Sequence, residues 1–210
     1  YKVSTGNSFL ADFARKYCKN VIVIPTVVDT DKKHYKLQNH DVANPTIGWT
    51  GTFSTLKYLD IILQSVQFLQ TKYDFTFIVI CNKDPQLPLK NYKFIPWRRE
   101  TEVEDLLSIH IGVMPLLEGD IEKGKCGFKA IQYLSLGIPA VVSPVGVNPG
   151  IVDHGINGFI ASKKNEWEES ISRLYENSSL RRQFGIAGRK KIESYFSVNS
   201  SFKTFYELFD

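Results

Sequence analysis

The sequence predicts an α/β fold in which a Rossmann-like parallel sheet carries helices on both faces. From residue 47 onward, short apolar segments alternate with longer amphipathic segments, which is the order expected of strands joined by crossover helices. Residues 75–81 are apolar at nearly every position, as in a parallel strand that is buried on both faces. Together, these two observations favour a doubly wound sheet.

Composition places the chain among ordinary globular proteins. Of its 210 residues, 43% are hydrophobic and 23% are charged, which excludes disorder, collagen and coiled coil. No apolar run is long enough to span a membrane as a helix. The net charge of +4 permits anionic ligands without requiring nucleic acid, so we expect no nucleic-acid partner.

Cysteines and histidines are too scattered for a disulfide framework or a dedicated metal site. The three cysteines, Cys18, Cys81 and Cys126, form no CxxC pair, which favours a reducing cytoplasm. The four histidines show no metal-ligand spacing, so we expect no bound metal. The chain begins with Tyr1 rather than Met and shows no signal-peptide pattern, and we therefore expect a fragment of a longer protein.

The first 46 residues predict a helix, a strand and a connector. Aromatic side chains recur at helical spacing through residues 8–17, which predicts a helix there. Residues 21–24 predict a short apolar strand that ends at Pro25. The polar residues 31–46 follow and are interpreted as a connector to the main domain.

The main domain then alternates between strands and helices. Strands are predicted at residues 47–51, 75–81, 93–97, 111–116, 140–143 and 158–161. Thr101 and Glu104 have the spacing of a capping box, and they predict the start of a short helix. Gly137 and Pro139 predict the end of another. The longer helices are predicted at residues 56–69, 128–136, 166–175, 179–195 and 198–209.

Candidate ligand-binding residues follow the predicted strands, because open parallel sheets bind ligands at the carboxyl ends of their strands. Residues 48–54 place two glycines after a strand, and Lys57 adds a positive charge six residues after Gly51. The alternative is an ordinary strand-to-helix turn. The segment matches neither the P-loop nor GxGxxG, which disfavours a nicotinamide dehydrogenase.

The most informative loop covers residues 123–129, with the sequence Lys-Gly-Lys-Cys-Gly-Phe-Lys. Two glycines and three lysines cluster where a helix begins, so backbone amides, a helix dipole and flexible cations meet as a diphosphate requires. We favour this interpretation over a solvated basic loop. Cys126 is interpreted as a small filler rather than a nucleophile, since no histidine is close in sequence.

Three further segments have two interpretations each. Residues 143–150 form either a wall of the site or a plain turn rich in glycine and proline. Trp97 either stacks on a nucleotide base or packs at the edge of the core. The basic residues within 181–191 form either a solvated helix face or a peripheral contact with an anionic membrane surface. The aromatic residues of the last helix should pack on something.

Residues 123–148 and 151–159 resemble the C-terminal half of group 1 (family 4) glycosyltransferases. The segment from Gly51 to Lys57 is similar to the Gly-Arg…Lys turn of that family. Residues 23–29 are similar to the stretch that ends the N-terminal domain of the family and begins its hinge. The resemblance therefore extends over nearly the whole chain, and the run 123–159 is the most specific part of it.

This resemblance implies one half of a GT-B fold, in which two Rossmann-like domains face each other across a cleft. The C-terminal domain holds a nucleotide-diphosphate sugar, the N-terminal domain holds the acceptor, and transfer retains the anomeric configuration without a metal or other cofactor. Residues 1–30 would then be the last helix and strand of the N-terminal domain with the start of the hinge, and residues 31–46 the connector. Residues 47–196 would be the Rossmann-like nucleotide-sugar domain, and residues 197–210 a helix that crosses back to the N-terminal domain.

Carried over residue by residue, the resemblance assigns several donor contacts. Lys57 matches a phosphate-binding lysine, and Thr52 stands where many members have arginine. The two acids of the family, seven residues apart, fall on Gly124 and Gln132, so both are absent, although an amide at 132 can still bind ribose hydroxyls. No catalytic residue is assigned. The predicted donor-binding residues are Gly51, Thr52, Lys57, Trp97, Lys125, Cys126, Gly127, Phe128, Gln132, Val145 and Gly146.

The resulting expectation is the donor-binding domain of a retaining, hexosyltransferase-type glycosyltransferase, inactive on its own. The acceptor would be a glycan or a lipid-linked glycan, as in polysaccharide biosynthesis. Two alternatives stay open, namely a sugar-nucleotide epimerase of similar architecture and a catalytically silent nucleotide-binding or scaffold module. The expected location is the cytoplasm, with the inner face of the membrane as a further option.

Overall fold

A small N-terminal unit precedes the main sheet in the computed structural model, which describes residues 1–209. It consists of β1 (Val3–Thr5), α1 (Ser8–Ala14) and β2 (Val21–Val23), and its two strands pair in parallel. The helix and the second strand were predicted. Strand β1 was not, because Val3 is its one apolar residue and gives no apolar run.

Six further strands form one parallel sheet, in agreement with the predicted fold class. In this sheet, neighbours along the order β5-β4-β3-β6-β7-β8 are all parallel. Counted from β3, this is the order 3-2-1-4-5-6 of dinucleotide-binding folds. The strands are β3 (Ile47–Thr50), β4 (Phe77–Cys81), β5 (Tyr92–Pro96), β6 (Ile111–Met114), β7 (Ala140–Val142) and β8 (Gly158–Ile160).

Helices cover both faces of this sheet. A 3-10 helix (Phe53–Leu59) leads directly into the first long helix, where a single helix was predicted. The helices are α2 (Asp60–Lys72), α3 (Glu102–Leu106), α4 (Asp120–Lys123), α5 (Phe128–Ser135), α6 (Asn148–Ile151), α7 (Lys164–Glu176), α8 (Ser178–Tyr195) and α9 (Val198–Tyr206). The predicted C-terminal segment 197–210 extends beyond α9, and Asp210 lies outside the described residues.

Two apolar layers hold the helices on the sheet. Along β4, Ile78 and Ile80 face the layer that contains α5, whereas Phe77 and Val79 face the layer that contains α2 and α7. This alternation of side chains is the pleat of a strand that is covered on both faces. Among the described residues, no helix has both the length and the hydropathy that a membrane-spanning segment requires.

The predicted capping box at Thr101 and Glu104 is wrong. Thr101 has φ −106° and ψ 3°, which is not the extended conformation of an N-cap, and no side chain caps α3. The hydroxyl of Thr101 instead donates to Asp105 at 2.7 Å. Glu104 pairs with Lys36 of the connector at 2.8 Å, so its carboxylate is engaged elsewhere.

The basic run of α8 is only partly the solvated face that the sequence predicts. Arg181 is buried, and its guanidinium donates to the backbone carbonyls of the connector and of the end of α7. Arg189 likewise donates to carbonyls of Thr30, His34 and Ser135. These two arginines therefore hold the connector against the main domain, and they are not free to meet a membrane.

Candidate functional site

The strands β3 and β6 separate toward their carboxyl ends, and this separation opens a crevice. They pair only over the first two residues of each strand. Beyond that point the hydroxyl of Tyr133, from α5, accepts a hydrogen bond from the backbone N–H of Thr50 at 2.9 Å and contacts the carbonyl of Val113 at 3.5 Å. The strand order reverses here, and open α/β sheets bind their ligands in such a crevice.

A cavity of about 410 Å³ occupies this crevice. Residues that follow four different strands contribute to it, and α5 provides its far wall. Most of the predicted donor-binding residues therefore meet in one place. The lining residues are Thr50, Gly51, Thr52, Asn82, Trp97, Glu102, Met114, Lys125, Cys126, Gly127, Phe128, Lys129 and Gln132.

The N-terminus of α5 lies in the cavity wall. Gly127 precedes the helix in the left-handed conformation with φ 67°, and a Cβ at this position would lie 2.1 Å from Ile151. Both facts require glycine. No side chain of the described residues caps the helix, so its first backbone N–H groups remain available beside Phe128. This arrangement suits a bound anion.

Two lysines lie over one tyrosine ring at the edge of the cavity. The ammonium of Lys125 is 5.5 Å from the centre of the Tyr58 ring, and that of Lys57 is 5.3 Å from it. The buried hydroxyl of Tyr58 donates to the carboxylate of Glu122. Burial, and after it the hydrogen bond to Glu122, raises the pKa of Tyr58 to about 12. The same hydrogen bond lowers the pKa of Glu122. Lys57 is exposed and does not itself line the cavity.

A buried amide faces the cavity without a partner. Gln132 is only 3% exposed, and its Nε2 makes no hydrogen bond of acceptable geometry among the described residues, although it lies near enough to the carboxylate of Glu102 to help lower the pKa of that group. A buried donor without a partner costs free energy, so an acceptor supplied by a ligand would stabilise it. Because Gln132 also lines the cavity, that acceptor can come from a molecule bound there.

Glu102 holds Trp97 at the mouth of the cavity. Its carboxylate accepts from the indole Nε1 of Trp97 at 3.2 Å and pairs with Lys33 of the connector. Burial raises the pKa of Glu102, but the hydrogen bonds from Lys33 and Trp97 outweigh burial, and the pKa is lowered overall. The carboxylate therefore stays charged, and the ring of Trp97, which is 44% exposed, is oriented from its edge.

Besides Lys57, two predicted residues lie outside this cavity. Val145 packs in the hydrophobic core. Gly146, with φ 57°, lines a second cavity of about 650 Å³ between the N-terminal unit and the loop before α5. Asn7 and Phe9 line the second cavity from the other side, and Cys126 lines both.

The prediction missed four polar residues of the first cavity, one of which, Thr50, is the last residue of β3. Asn82 directly follows β4, a position that could have been found, and its Oδ1 accepts from the backbone N–H of Phe53 at 2.8 Å. Lys129 belongs to the predicted basic loop but was not singled out. Glu102 had no signal in the sequence, because it lies on α3 rather than after a strand.

Metal ligands are not grouped in the part of the chain that the structure describes. No set of three or more His, Cys, Asp and Glu side chains there could hold a metal ion. The three cysteines are free thiols. The positive groups that line the cavity in the described residues are Lys125, Lys129 and the backbone amides at the start of α5.

Comparison with known proteins agrees with this geometry. The family model described as glycosyl transferases group 1 matches residues 44–177. The capsular polysaccharide biosynthesis glycosyltransferase CapM of Staphylococcus aureus is 26% identical over 176 residues, which span 80% of this chain and 45% of CapM.

Solved structures share the fold at low sequence identity. HepE from Anabaena, solved in complex with UDP and glucose, has a TM-score of 0.79 at 17% identity, and the match covers 99% of this chain and 62% of the HepE chain. TarM has a TM-score of 0.78 at 16% identity, and the match covers 100% of this chain and 43% of the TarM chain. The chain thus spans about half the length of these relatives. Since the family model matches well over half of its residues, the chain belongs to the group 1 glycosyltransferases.

Proposed function

We propose that this chain is the donor-binding half of a retaining, hexosyltransferase-type glycosyltransferase whose donor is a nucleotide-diphosphate sugar. The observation that carries the proposal is the convergence, in one cavity, of the uncapped N-terminus of α5, Lys125 and the unpartnered amide of Gln132. The N-terminus of α5 and Lys125 can bind an anion, and the amide of Gln132 can bind a hydroxyl group. A nucleotide requires both, for its diphosphate and for its ribose.

The diphosphate would lie against the N-terminus of α5. When the bond between the sugar and the diphosphate breaks, negative charge develops on the leaving nucleoside diphosphate. Lys125 and the backbone amides around residues 126–128 are already oriented toward the cavity, so they would stabilise that charge without reorganisation. In this proposal, these groups supply the positive charge that a metal supplies in other transferases.

The nucleoside would extend toward Trp97 and Gln132. The oriented ring of Trp97 offers a face on which a base can stack. The amide of Gln132 would donate to a ribose oxygen. HepE, which shares the fold, was solved with UDP and glucose and also with UDP-glucose, and this supports a uridine nucleotide as the first donor to test.

The acceptor would bind opposite the donor. The second cavity lies between the N-terminal unit and the loop before α5, and in this proposal it forms part of the acceptor site. The name of CapM supports a capsular polysaccharide or its lipid-linked precursor as the acceptor class. We expect this chain alone to bind nucleotide and transfer no sugar, and we propose a cytoplasmic location, with its acceptor at the inner face of the membrane.

A catalytically silent nucleotide-binding module is the second candidate. The observation in its favour is the glycine at position 124, where the family resemblance expects an acid. Such a module would bind the nucleotide diphosphate in the same cavity. It would transfer no sugar even within the full-length protein, and the activity of that protein therefore distinguishes the two candidates.

Titration calorimetry with UDP, GDP and ADP tests the donor site. We expect one diphosphate to bind preferentially, and Lys125→Ala to weaken its binding about tenfold, because one charge-assisted contact is lost. Lys190→Ala is the matched control, since Lys190 is exposed on α8 and lies away from the cavity. Absence of binding for all three diphosphates, or equal binding by the Lys125→Ala variant, would contradict the proposal.

A further inference from the structure

Lys129 points into the donor cavity from the first turn of α5. It lines the cavity, and its ammonium lies 5.5 Å from the centre of the Trp49 ring. Trp49 is only 1% exposed and belongs to the apolar layer between the sheet and α2. The ammonium of Lys129 thus lies over a buried aromatic ring, and its side chain forms part of the cavity wall.

Gly51 makes this position of Lys129 possible. A Cβ at residue 51 would lie 2.4 Å from two ring carbons of Trp49 and 2.9 Å from Cε of Lys129. Any side chain at this position would push one or both groups aside. Gly51, Trp49 and Lys129 therefore pack as one unit, which fixes the lysine in place before any ligand arrives.

The ammonium of Lys129 has no counter-ion among the residues that the structure describes. Among residues 1–209, no carboxylate lies within 4.0 Å of it. The titratable groups that face it are Lys125 from the loop, Cys81 from the end of β4 and Glu102 across the cavity. Burial, followed by the charge of Lys125, lowers the pKa of Lys129 to about 8. A partly buried cation without an anion is costly, and a bound anion removes that cost.

We propose that Lys129 is a ligand-binding residue of this cavity, whose ammonium pairs with the diphosphate of the nucleotide donor. The inference rests on the proposed function, because it assumes that the cavity takes a nucleoside diphosphate. It adds a second cation to the site, close enough to Lys125 for the two charges to interact. Lys125 and Lys129 would then both pair with the diphosphate.

Proton uptake is the signature of this role. In the free protein, part of the Lys129 population is neutral above pH 8. A bound anion stabilises the charged form and raises the pKa, so binding takes up a proton from the buffer. UDP itself is fully ionised well above its second phosphate pKa of about 6, and it therefore contributes no proton there.

The experiment is calorimetric titration of UDP, GDP and ADP into the chain at about pH 8.5, in two buffers with different ionisation enthalpies. With the best-binding diphosphate, we expect the measured enthalpy to change with the buffer for the wild-type chain. Lys129→Met should bind about tenfold more weakly and show no buffer dependence. Lys129→Arg should keep most of the affinity but lose the buffer dependence, because arginine stays protonated. Lys190→Ala should behave as the wild type.

The outcomes separate this inference from the proposed function. If the wild-type chain binds none of the three diphosphates, the proposed function fails. If the wild-type chain binds a diphosphate but shows no proton uptake, or if Lys129→Met binds as tightly as the wild type, the inference about Lys129 fails while the proposed function stands. Circular dichroism of each variant reports whether it folds, and the proton uptake of the wild-type chain remains decisive if Lys129→Met does not.

Discussion

Glycines at the strands set how closely α5 approaches the sheet. A Cβ at Gly112 of β6 would lie 2.4 Å from the ring of Tyr133. The same ring carries the hydroxyl that separates β3 from β6, so the absence of a side chain at residue 112 is part of what opens the crevice. A single missing methyl group in the sheet therefore shapes the ligand site.

Gly112→Ala should lower the free energy of unfolding by about 1 to 3 kcal/mol, because a buried aromatic ring must move to admit the methyl group. The measurement is denaturant unfolding followed by circular dichroism. Gly150→Ala is the control, since a Cβ at residue 150 meets nothing within 4 Å. Equal stability of the two variants would argue against this packing.

Three buried or half-buried histidines link stability to pH. Burial lowers the pKa values of His34 and His40, and it lowers that of His110 to about 4, with His40 and Arg181 as smaller causes. The Nδ1 of His110 accepts a hydrogen bond from the backbone N–H of Thr46 at 3.2 Å, which protonation would break. The folded state therefore favours the neutral form of these three histidines.

Stability should fall as the pH is lowered from 7 to 5. The unfolded state binds protons near the ordinary histidine pKa of 6.5, whereas folded His110 binds them only near pH 4, so the stabilisation is complete above pH 6.5 and is lost as the pH falls toward 4. We expect His110→Gln to lose roughly 1 to 2 kcal/mol less than the wild type over this range. If the wild type and His110→Gln lose the same free energy of unfolding between pH 7 and pH 5, this assignment is wrong.

At the level of residues, position after a strand is enough to predict most of the cavity lining. Gly51 and Trp97 are found in this way, because the carboxyl ends of parallel strands share one edge of the sheet. Glu102 is not, since its role depends on a contact with Trp97 that no sequence pattern encodes. Val145 also follows a strand, β7, yet it packs in the core, because side-chain direction as well as position decides what lines a site.

Secondary-structure elements meet at Asn7, which joins the N-terminal unit to the loop before α5. Its Oδ1 caps α1 by accepting from the backbone N–H of Leu10 at 2.9 Å. Its Nδ2 donates to the carbonyls of Gly124 and Lys125 at 3.1 and 3.2 Å. The same buried amide thus fixes the start of a helix and the loop that carries Lys125.

Asn7→Ala should therefore have two effects, a stability loss of about 1 kcal/mol from the missing cap and a weaker binding of UDP from a loosened loop. Asn177→Ala is the matched control, because Asn177 caps α8 by accepting from Leu180 at 2.8 Å and lies away from both cavities. The control should lose similar stability and keep its UDP affinity. Unchanged affinity in both variants would show that Asn7 acts only as a cap.

The strength of the apolar pattern decides which elements the sequence predicts. The strands of the main sheet are mostly apolar, and the long helices repeat their apolar face over several turns, so both are predicted within a few residues. The short α4 and α6 span one turn each and show no periodicity. The start of α3 was assigned to a capping box because residue spacing does not reveal the backbone conformation of Thr101.

At the level of the whole molecule, side chains of the main domain hold the connector in place through hydrogen bonds to its backbone carbonyls. Arg181 of α8 donates to the carbonyls of His40 and Val42 as well as to those of Leu174 and Tyr175. Strand order and such long-range contacts cannot be predicted from periodicity, because they depend on which segments meet in space. The division into residues 1–30, 31–46, 47–196 and 197–210 stays a prediction.

Arg181→Leu should lower the free energy of unfolding by about 3 kcal/mol, because four buried carbonyls lose a charged donor. Arg182→Leu, its neighbour, is the control. Arg182 is exposed and makes only a long ion pair with Asp41 at 3.8 Å, so its loss should change stability by less than about 0.5 kcal/mol. Thermal or denaturant unfolding of both variants decides the point, and similar losses would contradict it.

The central claim is that the crevice between β3 and β6 binds a nucleoside diphosphate. Heteronuclear NMR of the chain, with UDP, GDP and ADP added in turn, tests it most directly. We expect one diphosphate to shift the side-chain amide signals of Gln132 and the indole signal of Trp97. The indole signal of Trp167, which belongs to α7 and is buried in the apolar layer between α7 and the sheet, should stay unchanged. If all three nucleotides leave Gln132 and Trp97 unchanged, or if only signals remote from the cavity shift, the claim is wrong.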